Sequence, residues 1–217
     1  MQTTRYHHQR KKRKVKDEPI ILDQNFYINL LKMIQKAQYP YKINQQQLWQ
    51  RDQALIAFLI LTGTRNSETQ KITKTQIHNY KTHILITTVK TLKKGETRDQ
   101  ITLPKKGALA PFTQIFETWL NQIPHDNNIL FPTANTDGSL NWNQPLSRYR
   151  IHRIIRVTTN MFPHWLRGVH ATIYAQQIFE KDPWALKQHM GWKNLDSTSA
   201  YVNPQIEKYT KNIYNLK

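Results

Sequence analysis

The longest apolar run in the chain, Ala54 to Leu61, has no polar interruption. Such a run covers every face of a helix, so it predicts a helix from about Gln46 to Thr62 that is buried all round at the centre of a core. Gly63 follows where a left-handed C-terminal cap is wanted, which leaves Arg65 just beyond a buried helix. Upstream, Asp23 or Asn25 suits the N-cap of a first helix reaching about Ala37, and Pro40 enforces a break. From His83 to Val89 and again from Gln100 to Leu103 the residues are β-branched and apolar, with a Lys- and Gly-containing connection between them; this predicts a β-hairpin. Helical patterns return at Ala110–Gln122 and Pro145–Thr159, separated by a loop containing Pro124, Pro132 and Asp137-Gly138. The remainder reads as helical with short loops. The expected fold class is mainly α with a small β-hairpin or sheet (α+β), in a single globular unit.

Composition narrows the partners. The chain has 217 residues, with 32 Lys+Arg against 14 Asp+Glu and a formal charge of +18. A compact fold tolerates that excess best when a polyanion neutralises it, and nucleic acid is the leading candidate. An anionic membrane surface is a weaker one, because the run Ala54–Leu61 is too short to span a bilayer. Residues 1–17 are polar and basic, include Arg10-Lys11-Lys12-Arg13-Lys14, and lack any apolar periodicity. They read as an arm that orders on DNA. The same run also resembles a short nuclear-localisation signal, which would add a nuclear address. No apolar stretch follows the N-terminal charges, so a secretory signal is not expected and the protein is placed inside the cell. The absence of cysteine excludes disulfides, thiolate catalysis and Cys-ligated zinc. The nine histidines show no His-Glu-x-x-His pattern, and His164 and His170, six apart, lie off one another's helical face. No metal and no cofactor is expected.

Three boxes carry candidate chemistry. The first is Thr62-Gly63-Thr64-Arg65-Asn66-Ser67-Glu68, in which an arginine follows a helix-ending glycine. The second is Pro163-His164-Trp165-Leu166-Arg167, whose His and Arg share one face of a helical turn and suit a common phosphate. The third is Met190-Gly191-Trp192, with Tyr201 nine residues after Trp192 on a stretch containing the turn-prone Asn194 and Asp196; it reads as a short, adjustable segment. Taken singly each is ordinary. An arginine after a helix is usually a surface residue, a tryptophan is usually core, and Tyr201 is one of ten tyrosines, with Tyr209 and Tyr214 nearby.

In their order and spacing these boxes resemble the tyrosine recombinases of the phage-integrase family: an Arg in Thr-Gly-x-Arg-x-Ser-Glu, then His-x-x-Arg, then Gly-His/Trp, then Tyr. The resemblance covers about residues 20 to 205. It implies that residues 18–217 form the family's catalytic domain, with no separate N-terminal DNA-clamping domain of the kind typical relatives carry. It implies a site of Arg65, Lys90, His164, Arg167, Trp192 and the nucleophile Tyr201. The lysine is expected on the hairpin, where Lys90, Lys93 and Lys94 all qualify; Val89-Lys90-Thr91 closes the apolar strand, and Lys94-Gly95 is the more turn-like match. Two departures stand out: Gly168 where many relatives carry a second His, and Trp192 in place of the more common His.

The implied chemistry is metal-independent. Tyr201, of ordinary pKa about 10, becomes nucleophilic if a cationic pocket favours its phenolate, and attack leaves a 3′-phosphotyrosine and a free 5′-hydroxyl. Arg65 and Arg167 suit the non-bridging oxygens because guanidinium grips phosphate in bidentate fashion. A hairpin lysine protonates the 5′-oxygen, His164 manages the tyrosine proton or assists binding, Trp192 orients the phosphate, and Glu68 buttresses Arg65. Recombination requires two duplexes and four sites, hence a homotetramer on DNA, with the last dozen residues docking on a neighbour. The rival readings are a relaxing topoisomerase of type IB character and a DNA-binding factor that keeps the fold without cleavage.

Overall fold

The computed structural model describes residues 22–41, 46–90 and 97–202, with the backbone alone at Lys90, Thr97 and Asp99. The basic arm, Lys93 and Lys94, and the final residues lie outside the described residues.

Helix α1 (Gln24–Gln35) opens at Asp23, whose Oδ1 accepts the Phe26 N–H at 2.7 Å. Helix α2 (Gln46–Thr62) is the central element: every residue from Ala54 to Thr62 is buried. It packs against α4 (Ala110–Leu120) and α6 (Pro163–Ile173), so the continuous apolar run is used on all faces. It ends at Gly63, which takes the left-handed φ of 57°, and the short helix α3 (Asn66–Thr69) begins immediately after Arg65.

Strands β1 (Ile77–Asn79), β2 (His83–Lys90) and β3 (Thr97–Pro104) form an antiparallel sheet in the order β1-β2-β3. Its register pairs Ile84 with Leu103 and Ile86 with Ile101, all four buried. Between Ile86 and Val89 the alternation slips. Thr88 adopts a left-handed φ of 51°, costly for a β-branched residue, and its carbonyl accepts from Gln76 Nε2 at 2.8 Å. The inward face therefore moves by one residue on both strands, from Ile86 and Ile101 to the pair Val89–Arg98, both buried.

The stretch expected to be a loop around Pro132 and Asp137-Gly138 instead forms a second hairpin, β4 (Pro132–Ala134) with β5 (Leu140–Pro145). Asp137 Oδ1 accepts from Ser139 N–H at 2.9 Å, and Gly138 takes a φ of 87° to close the turn. Pro145 consequently ends a strand and does not start a helix. Helix α5 (Arg148–Thr159) starts two residues later, at the N-cap Ser147. After α6 the chain makes a π-helical turn (Tyr174–Ile178), then α7 (Pro183–Met190), which stops at left-handed Gly191, and α8 (Asp196–Val202). Tyr201 thus sits on a helix where an irregular segment was expected. The architecture is mainly helical with two small antiparallel sheets, as the pattern predicts.

Candidate active site

The site is assembled around the last turn of α2. A helix leaves its final carbonyls without intrahelical partners and carries partial negative charge at that end, so it draws donors and cations. Here the donors come from two other elements. His170 Nδ1 lies 2.8 Å from Ile60 O, Arg98 Nη2 donates to Thr62 O at 2.9 Å, and Arg167 Nη1 donates to Gly63 O. Arg167 Nη2 also donates to Met190 O at 2.6 Å, tying α6 to the end of α7. Gly63 is required twice over. Its φ is left-handed, and a Cβ there would lie 2.4 Å from His170 Cδ2.

Arg65 is oriented locally. Glu68 Oε1 accepts from its Nη1 at 2.6 Å while Oε2 accepts from its backbone N–H at 2.8 Å, so one carboxylate caps α3 and aims the guanidinium. Thr64 Oγ1 bonds both Thr62 Oγ1 (2.9 Å) and Thr69 Oγ1 (2.8 Å), which fixes the intervening turn. The Glu68 side chain is 1% exposed and that of Arg65 33%, so the arginine presents its outer edge to solvent while its counter-ion stays buried. Glu68 Oε2 also lies 3.9 Å from Arg167 Nη1. Burial, followed by the charges of Arg65 and Arg98, pushes Arg167 down to about 9, against the opposing pull of Glu68 and Tyr201; it remains a cation at neutral pH.

Tyr201 joins this pocket from α8. A Cβ at Gly168, the residue after Arg167, would be 3.8 Å from the Tyr201 hydroxyl, so the phenol lies over α6 beside Arg167. Trp192 stacks on the Tyr201 ring with centroids 5.4 Å apart, and the Arg167 guanidinium carbon is 5.9 Å from the Trp192 ring centroid. Arg65, Arg167, Trp192 and Tyr201 are therefore gathered around one small volume. His164 is exposed on the first turn of α6, about one turn before Arg167, and lines a cleft with Asn66, Arg148 and His152. Lys90 ends β2 opposite Thr97, next to the Val89–Arg98 pair.

Two features were not foreseen. Arg98 reaches the site because of the slip at Thr88; simple alternation from Ile101 and Leu103 would turn it outward. His170, fully buried, and the half-buried His189 form a pair with Nε2 atoms 2.8 Å apart. Ile60 O can only accept, so His170 Nδ1 carries the proton and, in a neutral pair, His189 Nε2–H donates to His170 Nε2. Burial, then the charges around them, holds both well below the ordinary range, His189 at about 3. The stack continues to Tyr174, whose ring centroid is 4.2 Å from that of His189. The described residues contain no cluster of three or more His, Asp or Glu side chains able to hold a metal ion, and none of their helices is long and apolar enough to cross a membrane.

A family model for the phage integrase family matches residues 23–208, and the chain belongs to that family. Among solved structures the fold is similar to the XerA recombinase (TM-score 0.60, 19% identity, covering 89% of this chain and 65% of that one). It is also similar to the XerH site-specific recombinase bound to its difH substrate in a pre-cleavage complex (0.57, 20% identity, 88% and 53%). A lambda integrase dimer bound to a COC′ core site matches at 0.52 and 17% identity, over 83% and 47%. At these identities the likeness establishes the fold, and the chain spans roughly half to two thirds of the length of these neighbours. No curated protein matches the chain in sequence.

Proposed function

We propose that this chain is a site-specific DNA recombinase of tyrosine type, cleaving and rejoining duplex DNA without metal. The observation that carries the reading is the placement of the Tyr201 hydroxyl over α6 beside Arg167, within a pocket that holds Arg65 and Trp192. The Tyr201 oxygen attacks the scissile phosphorus, the bond from phosphorus to the 5′-oxygen breaks, and the DNA is left joined through its 3′-phosphate to tyrosine. Arg65 and Arg167 take up the charge that develops on the non-bridging oxygens. A hairpin lysine, Lys90 in our assignment, returns a proton to the departing 5′-oxygen, and attack by a 5′-hydroxyl reverses the sequence. Trp192 packs the nucleophile and offers its indole N–H to the phosphate; His164 serves the tyrosine proton or the DNA backbone.

Duplex DNA as the partner is supported by the charge of +18 and by α5, which exposes Arg148, His152, Arg153 and Arg156 beside the cleft that contains His164. Strand exchange between two duplexes would bring four copies together. The test is covalent trapping on nicked suicide duplexes in chelator. Wild type is expected to give a denaturant-resistant protein–DNA adduct, and Tyr201→Phe to give none while binding DNA as well. Tight binding with no adduct on any duplex would refute cleavage and favour a binding factor; adducts without exchange between duplexes would favour a relaxing topoisomerase.

A further inference from the structure

Arg98 is 4% exposed, yet among the described residues only one of its three guanidinium nitrogens has a partner: Nη2 donates to Thr62 O, while Nε and Nη1 are buried without any. Buried polar groups are normally satisfied, and a cation that is not costs stability. Burial pushes its pKa down to about 10, Arg65 adds to that effect, and Glu68 and Tyr174 oppose it. A fold that keeps such a residue at the rear of its arginine pocket has a use for the charge.

The use follows from the count of charges. Glu68 must stay paired and buried to fix Arg65, but a carboxylate 2.6 Å from Arg65 and 3.9 Å from Arg167 also cancels part of the field those two present outward. We propose that Arg98 is a positioning residue of the phosphate pocket: its buried charge offsets Glu68, so that Glu68 orients Arg65 without discharging the site, and its bond to Thr62 O fixes the α2 turn from which Gly63 and Arg65 depart. The inference rests on the reading of this pocket as a phosphodiester site. It assigns Arg98 no contact with substrate. The groups facing it are Glu68, Arg65, Arg167, Tyr174, His170 and His189, the two histidines being neutral.

The experiment compares Arg98→Met with wild type in the full chain, on a duplex that wild type has been shown to trap. One version carries an ordinary scissile phosphodiester, one an uncharged methylphosphonate, and one a 5′-bridging phosphorothiolate whose leaving group needs no proton. Loss of charge support at the non-bridging oxygens should slow adduct formation on the phosphodiester by about 10- to 100-fold, below the 10²–10³ typical of a direct donor. The methylphosphonate should be slowed far less, and the phosphorothiolate should not be rescued. The melting temperature of Arg98→Met should hold or rise, since an apolar chain of similar shape replaces an unsatisfied cation. Equal slowing on charged and uncharged substrates would show a merely structural role, rescue by the phosphorothiolate would show that Arg98 acts through the hairpin lysine, and unchanged rates would show no role; each overturns the proposal. Arg98→Gln serves the same comparison if the methionine variant does not fold. Wild type failing to form adduct at all would instead remove the parent reading.

Discussion

Helix α2 carries a buried arginine network near each end, and the two are put together differently. Near its start, Arg51 donates through Nε and Nη2 to Asp52 Oδ1 (3.0 and 2.7 Å), through Nη1 to Pro132 O (2.7 Å), and through Nη2 to the Tyr41 hydroxyl. Tyr41 in turn donates to Asp52 Oδ2 at 2.6 Å. One cation meets one carboxylate, each guanidinium nitrogen has an acceptor, and the pair is 1% and 0% exposed. At the far end, Arg65, Arg98 and Arg167 share one carboxylate among the described residues, Glu68. Two nitrogens of Arg98 have no acceptor among the described residues, and Arg65 keeps a third of its side chain in solvent. A balanced buried pair pins helix α2 to the β4 strand. An unbalanced one leaves positive charge in excess at the pocket, at a cost in stability that the first network does not carry.

The comparison is sharpened by striking each network in the same way. Arg51→Met leaves Asp52 buried without its cation and should cost about 3–5 kcal/mol of stability, read as a shift in the denaturation midpoint, while the fraction that remains folded forms adduct at the wild-type rate. Arg167→Lys keeps the charge but loses the fork. It should reduce adduct formation by about 10²–10³-fold with a smaller loss of stability. If both variants lose stability and activity in the same proportion, the distinction between a structural and a functional network fails.

A smaller effect separates the two ends by pH. His189 in the fold is held at about 3, against an ordinary value near 6.5 in the unfolded chain. The unfolded state therefore takes up a proton that the folded state refuses. Stability is full above about 6.5 and is lost as pH falls toward 3, so going from pH 7 to 5 should cost about 2 kcal/mol for His189 alone. Urea midpoints at the two pH values measure it, in a range where most carboxylates stay ionised. A midpoint that does not move would mean that His189 does not pack against His170 as described.

Much of the helical frame was legible because its signals are local. The unbroken run Ala54–Leu61, set in a longer stretch free of Gly and Pro, reads as a buried helix, Gly63 punctuates it, and Asp23 caps α1 as its side chain suggests. The boxes around Arg65, Arg167 and Trp192 were legible by spacing. What escaped depends on partners distant in sequence. Strand β5 reads Leu-Asn-Trp-Asn-Gln-Pro, too polar to announce itself, and exists because β4 pairs with it. Tyr201 lies in α8, whose seven residues are too few to show a period and are held by packing on α6 and α7. Arg98 was hidden by a single left-handed threonine on the neighbouring strand, and His189 acquires its meaning only when α7 brings it against His170.

The most direct measurement is the identity of the residue joined to DNA. Trypsin cuts after Lys193 and Lys208, so Tyr201 is isolated from Tyr209 and Tyr214 on the peptide spanning residues 194–208. Mass spectrometry of the nuclease-trimmed adduct, prepared without metal, should find the nucleotide on that peptide and on Tyr201 within it. A nucleotide on Tyr209 or Tyr214, or on any serine, would contradict the account, since the pocket of Arg65, Arg167 and Trp192 would then be built around the wrong nucleophile.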